Sequence, residues 1–289
     1  MPGNKFICDS PGSSGHGVRA DLIGNYAPGV HEVPLILEPD ADDPDFAAIL
    51  VDVTIAGRPY RLLLDTGAAR TQLGSDEYTS ALRPVGQDAS AAAFGGSVTE
   101  PVVTVTDLAL GSLRLATLDV TRSGRGQAQV LGMDVVGRYR CHFRLGAGVL
   151  VLDAPPGSGA GNQLMLGPRG HVYLDVHWPG VATRACWDTG AGATVVDRAF
   201  WLSHPQLFEQ VGVSAGTDAN GDQAETPLLL MAGPVIGQHA FGRNKAVAVD
   251  LAQVNATLDE PMDLILGYPL ICQADWLFDF PAGRWTITT

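Results

Sequence analysis

Leu64-Asp65-Thr66-Gly67-Ala68 recurs as Trp187-Asp188-Thr189-Gly190-Ala191, 123 positions further on (188 − 65). Upstream of the first copy, Ile49, Val51, Val53 and Ile55 alternate with Leu50, Asp52 and Thr54, the period of a half-buried strand. Gly57 and Pro59 turn the chain into a second apolar run, Arg61-Leu62-Leu63-Leu64. The other copy repeats the layout. Val172, Leu174, Val176 and Trp178 alternate, Pro179-Gly180 turns, and Ala185-Cys186-Trp187 leads in. Downstream, Gln129-Val130-Leu131-Gly132 is matched by Leu264-Ile265-Leu266-Gly267, and Phe143, Ala147 and Gly148 pair with Phe278, Ala282 and Gly283 at an offset of 135 (267 − 132). Landmarks in the same order twice over mean a tandem duplication of a β-rich unit.

The repeat divides the chain. Residues 1–30 belong to neither copy and are expected to form a loose extension. The N-terminal lobe covers 31–154 and the C-terminal lobe 162–289, joined by the Pro/Gly/Ser-rich linker 155–161. Val33-Pro34-Leu35-Ile36-Leu37 reads as a first strand, with Leu164-Met165-Leu166 as its counterpart. After each Asp-Thr-Gly the chain resumes apolar and offers a short helix, capped by Ser75 or Asp76 in the first copy and by Asp197 in the second. The fold class is therefore all-β and bilobal.

Composition agrees. Of 289 residues, 46 % are hydrophobic and 17 % charged, the balance of a chain that folds around a core. Gly 35 and Pro 19 supply the tight turns of β structure. Lys+Arg 18 against Asp+Glu 31 leave a net charge of −13 with no basic run, which argues against nucleic acid as a partner. No apolar stretch reaches the ~18 residues of a membrane span. The first thirty residues lack a secretory layout, so a cytoplasmic location is expected. Cys8, Cys141, Cys186 and Cys272 are too scattered for a disulfide scaffold or a zinc site, and Cys141, Cys186 and Trp187 read as core. His171, His177, His204 and His239 show no ligand spacing, and Glu38, Asp40, Asp42, Asp43 and Asp45 read as a solvated acidic loop. Asn255-Ala256-Thr257 is a sequon with no secretory context to give it use.

The two Asp-Thr-Gly-Ala turns, each after an apolar strand and each followed by an apolar-apolar-Gly strand, resemble the aspartic peptidase family over residues 31–289. The duplication resembles its fused, pepsin-like arrangement, while the Ala68 and Ala191 wording is that of the retropepsin-like branch. The resemblance implies two β-barrel-like lobes around a central cleft and a catalytic dyad of Asp65 and Asp188. Like charges that close cannot both ionise and must share a proton. It further implies that Gly67 and Gly190 present N–H groups to the carboxyls, that Thr66 and Thr189 interlock beneath them, and that the Gly132 and Gly267 strands brace the turns. Pepsin-like members usually carry Ser or Thr where Ala68 and Ala191 stand. The implied flap falls on Phe94, Gly95 and Gly96 in the first lobe, without the usual tyrosine, and on Thr217–Asp222 in the second.

The expected function is a monomeric aspartic endopeptidase acting on peptide or unfolded protein, with no cofactor and no metal. Two alternatives stand beside it. The same dyad could serve acid–base chemistry on a small molecule, a cyclisation or dehydration. Equally, the aspartates could be turn caps of a silent peptide-binding module. Residues 1–45 hold Lys5 and Arg19 against eight acidic residues, the wrong sign for a basic pro-segment over an acidic cleft. No charge-latched zymogen is expected.

Overall fold

The protein is described from a computed structural model, which covers residues 4–6, 29–92, 96–124, 127–156, 161–218, 223–256, 258 and 260–288. The alternating segments form the strands that their period requires. Ala47–Ile55 buries every second residue and pairs antiparallel with Arg58–Leu64. In the second lobe, Val172–Trp178 pairs with Val181–Trp187 in the same way. Among the described residues the first lobe is built on an eight-stranded sheet and the second on an eleven-stranded one.

A third, six-stranded sheet takes three strands from each lobe. Its central pair is Arg140–Arg144 against Asp275–Asp279, running antiparallel with Cys141 opposite Phe278 and Phe143 opposite Trp276. The 135-residue offset makes Cys141 the counterpart of Trp276, and Phe143 that of Phe278. The pairing is thus reciprocal, and the lobes meet about a pseudo-two-fold axis. Over this seam lies an aromatic cluster of fully buried rings: Trp187 stands 4.9 Å from Phe143 and 4.6 Å from Phe278, centroid to centroid. Trp187 immediately precedes Asp188, so the cluster supports the second turn directly.

Three expectations are adjusted. The run expected as one strand breaks at Leu35: His31–Pro34 joins the shared sheet beside Val149–Leu152, while Ile36–Pro39 joins the first lobe's own sheet beside Ala47–Ile55. Its counterpart divides likewise, into Asn162–Gln163 on Arg284–Thr288 and Met165–Leu166 on Val172–Trp178. Leu164 lies between the two pieces rather than inside one strand. Secondly, Asn4–Phe6 of the extension runs parallel to Phe208–Asp218 as an edge strand. Thirdly, the acidic loop is not merely solvated. Lys245, from the second lobe, reaches Asp43 at 2.8 Å and Asp45 at 2.9 Å. Beside it, fully buried Phe46 enters the second lobe's core with Ala191, Val195 and Ile265.

Both helices after the turns form where expected. Asp76, not Ser75, caps Glu77–Ala81 through a reciprocal box with Thr79, and Asp197 caps Arg198–Ser203.

Candidate active site

Each Asp-Thr-Gly turn is fixed by the strand before it and by the glycine strand beside it. Leu63 and Leu64 pair parallel with Val130 and Leu131, and the Asp65 N–H continues the ladder to the Leu131 carbonyl at 3.0 Å. Cys186 and Trp187 pair with Ile265 and Leu266, and the Asp188 N–H reaches the Leu266 carbonyl at 3.1 Å. Past the turns, Met133 N–H donates to the Ala68 carbonyl and Tyr268 N–H to the Ala191 carbonyl, both at 2.9 Å. The carboxyl groups are thus held from both sides by backbone.

Gly132 and Gly267 are glycine for reasons of space. A β-carbon at Gly132 would stand 2.7 Å from the Arg70 carbonyl carbon and 2.9 Å from the Ala68 oxygen. At Gly267 it would overlap the Ala193 carbonyl and stand 2.6 Å from the Ala191 oxygen. Those neighbours are backbone of the Asp-Thr-Gly loops, so they have nowhere to go. Within the turns, a β-carbon on Gly67 would lie 2.6 Å from an Asp188 carboxyl oxygen, and one on Gly190 2.6 Å from an Asp65 oxygen. Each glycine faces the opposite aspartate.

The threonines cross between lobes. Thr66 N–H donates to Thr189 Oγ1 (3.2 Å) and Thr189 N–H to Thr66 Oγ1 (3.1 Å). Each hydroxyl then donates across the axis, Thr66 to the Trp187 carbonyl (3.1 Å) and Thr189 to the Leu64 carbonyl (2.7 Å). All four bonds are buried, so none can be exchanged for water without cost.

Above this interlock the two carboxyls face each other, fully buried. The Gly67 N–H donates to Asp65 Oδ1 at 2.9 Å and to Asp188 Oδ1 at 3.0 Å, bridging the lobes through one proton. Gly190 N–H donates to Asp188 Oδ1 at 2.8 Å. Burial pushes the Asp188 carboxyl up to about 6, against the downward pull of the Gly190 and Gly67 N–H groups, a bond shared with Asp65, and the Ala191 N–H. A carboxyl raised by desolvation and coupled to a second one is a proton-sharing pair.

Expected site residues therefore come together: Asp65, Asp188, Thr66, Thr189, Gly67, Gly190, Ala68, Ala191, Gly132 and Gly267 form one constellation. The segment expected as the flap belongs to a hairpin of Pro84–Ala92 and Gly96–Leu110, and Gly96 begins its second strand. Phe94 and Gly95 lie outside the described residues. The second-lobe hairpin is Phe208–Asp218 with Gln223–Met231, and its expected tip at 219–222 likewise lies outside them.

Three contributors had no motif to announce them. Asp134, two residues past Gly132, accepts from the Thr71 N–H (2.9 Å) and hydroxyl (2.7 Å), and the Gly132 N–H donates to that same hydroxyl (3.1 Å). Burial pushes the Asp134 carboxyl up, and its Thr71 donors pull it down. Asp88, in the first strand of that hairpin, is held by Arg70 at 3.1 Å, by Arg169 of the other lobe at 3.5 Å, and by the Thr121 hydroxyl at 3.1 Å. His171 of the second lobe touches the first turn itself, 2.9 Å from the Gly67 carbonyl. Only the position of His171, immediately before an alternating run, offers a signal in the sequence.

Comparison with known proteins agrees with this architecture. Residues 51–138, which include the first turn and Gly132, match the family described as "gag-polyprotein putative aspartyl protease". The whole chain is similar in fold to the aspartic proteinase from Irpex lacteus, with a TM-score of 0.56, 15 % identity, and coverage of 90 % of this chain and 97 % of that one. No curated protein matches the sequence.

Proposed function

We propose that the chain is an aspartic endopeptidase, acting as a monomer on peptide or unfolded protein. Its fold is the bilobal, all-β one of aspartic proteinases, and its first lobe is similar to retropepsin-like aspartyl proteases. The observation that carries the reading is the Gly67 N–H bridging the inner oxygens of two buried, opposed carboxyls, one from each lobe. A pair so placed holds one proton between two groups, which is what metal-free peptide hydrolysis requires.

The reaction runs through that proton. A water held between the carboxyls gives a proton to the ionised member as its oxygen attacks the scissile carbonyl carbon. The carbonyl oxygen takes the proton held by the other member, giving a tetrahedral diol. As the diol collapses, one of its hydroxyls returns a proton to the now ionised member, the C–N bond breaks, and the amine takes the proton held by the other member. This leaves a carboxylic acid, a free amine and the pair with its single proton restored. The glycine N–H groups stay in place throughout, so the turns need no reorganisation as charge moves. Both aspartates and both glycines are retained, which favours an active enzyme over a silent module.

The test is digestion of an unfolded protein and a peptide library from acidic to neutral pH, with and without pepstatin. Pepstatin-sensitive cleavage, lost in Asp65→Asn and Asp188→Asn, supports the proposal. A pure, folded protein that binds pepstatin and cleaves nothing would turn the reading towards small-molecule chemistry or peptide binding.

A further inference from the structure

His171 stands in the second lobe, yet its ring is spent on the first. It closes a tight turn in which Gly167 N–H donates to the His171 carbonyl and Gly170 N–H to the Gly167 carbonyl, both at 2.9 Å. Gly170 takes a positive φ of +91, and a β-carbon there would meet Met133 of the first lobe at 3.4 Å. The turn is therefore seated on the partner lobe. From it the imidazole, 2 % exposed, sends Nε2 to the Gly67 carbonyl at 2.9 Å, with the Tyr173 ring edge-on at 6.5 Å. A carbonyl oxygen can only accept, so Nε2 carries the hydrogen.

Gly67 is the residue whose N–H reaches both catalytic carboxyls. The carbonyl lies in the peptide plane after the Gly67 Cα and the N–H in the plane before it, so a donor that holds the carbonyl anchors one side of the joint from which that N–H projects. The repeat supplies no equivalent for the second turn: 171 − 123 is position 48, and Ala48 has no donor in its side chain.

We infer that His171 is a positioning residue for the dyad, a donor in one lobe that holds Gly67 of the other so that its N–H stays shared between Asp65 and Asp188. The ring acts as a neutral donor. Burial pushes its basicity down, the Arg169 charge on the same turn adds to that, and the bond to Gly67 opposes both. The titratable groups around it are Arg169 and Tyr173 from its own lobe and, through Gly67, the two aspartates. Releasing Gly67 weakens N–H bonds that favour the ionised pair, so the pair's upper apparent pKa moves up.

The inference rests on the peptidase reading only for its kinetic arm; its other arm reads the dyad directly. Full-length protein with 13C-carboxyl-labelled aspartate is titrated by NMR, the dyad signals being those altered in Asp65→Asn and Asp188→Asn. His171→Phe, which keeps the ring volume and removes the donor, should raise the upper dyad pKa by about half a unit or more. His171→Gln, whose amide N–H reaches as far as Nε2, should restore the parent titration. In peptide cleavage the Phe variant should lose about tenfold or more in kcat with KM nearly unchanged, and the Gln variant should recover it. Should His171→Phe not fold, His171→Asn, one bond too short to reach Gly67, takes its place with the same expectation. A dyad that titrates alike in the parent and the donor-free variant, or a Gln variant displaced as far as Phe, overturns the inference. If the parent cleaves no peptide, the peptidase reading falls while the titration still decides the role of His171.

Discussion

The two Asp-Thr-Gly turns share their contacts at the centre and differ at their edges. Both have the Thr–Thr interlock, a glycine facing the opposite carboxyl, and a glycine strand alongside. Beyond that ring the lobes part. The first turn is braced by polar groups, Asp134 on Thr71 and His171 on Gly67. At the positions related by the repeat, the second has Pro269 in place of Asp134, and the buried hydroxyl of Thr194, counterpart of Thr71, has no hydrogen-bond partner among the described residues. Its bracing is apolar instead, with Trp187 where the first lobe has Leu64. The difference teaches which features the chemistry demands twice. A shared proton requires two matched carboxyl settings, whereas rigidity behind them can be supplied by hydrogen bonds or by packed rings.

Breaking the matched part should have the largest effect. Asp65→Asn and Asp188→Asn should each reduce peptide hydrolysis by about a thousandfold or more, because an amide can neither share the proton nor accept one. Both should do so equally, measured on preparations free of other proteases. A large inequality would mean that the carboxyls do not work as one pair.

The glycine strands come next. Gly132→Ala and Gly267→Ala should each cost about 2–4 kcal/mol, since the new β-carbon meets fixed backbone. Gly267→Ala should be the worse of the two, because its β-carbon overlaps the Ala193 carbonyl outright. Urea unfolding would rank them, and an unchanged midpoint in either would remove that strand from its place beside the turn.

Thr71→Val and Thr194→Val sharpen the contrast between the lobes. The first removes a donor to Asp134 and an acceptor for the Gly132 N–H, and should cost about 1–3 kcal/mol. The second removes a hydroxyl that bonds nothing described, so it should be neutral or slightly stabilising. Equal losses would show that the second lobe leans on polar bracing after all.

The smallest effect is one of pH. Asp188 is raised in the folded protein from an ordinary 3.8 to about 6. A raised carboxyl favours the fold while protonated, below the ordinary value, and that advantage fades as pH climbs through 6. Asp188→Asn should therefore leave stability near the parent's at pH 3 and exceed it at pH 7. Thermal melts at the two values would check this, and a variant less stable at pH 7 would reverse the sign. Hydrolysis by the parent should likewise decline above about pH 6, where the pair loses its shared proton.

How much of this could be read from the chain alone follows the same division. Whatever the duplication carries twice is legible, because repetition separates signal from accident: both aspartates, both threonines and all four glycines, which the structure brings together. What occurs once is not. Asp134 sits in a run whose second copy has Pro269, so comparing the repeats hides it. His171 has Ala48 as its counterpart and meets Gly67 across 104 residues, a distance at which spacing says nothing. The break at Leu35 escapes the sequence for a related reason. Its five apolar or proline residues look like one strand, and only the need to serve two sheets divides them. The interlock of Thr66 with Thr189 came from family resemblance rather than from periodicity.

The six-stranded seam has one more consequence, for the protein's fate at high concentration. Because Arg140–Arg144 and Asp275–Asp279 pair reciprocally about an axis, each half-seam is complementary to the other lobe of any copy, not only of its own. Because both lobes belong to one chain, a short flexible connection would keep the matching half-seam at an effective concentration in the millimolar range. Refolding in crowded conditions weakens that advantage. Exchange of lobes between chains would then give a swapped dimer with two complete clefts, each assembled from one lobe of each molecule. The seam is therefore the surface through which such an exchange would run.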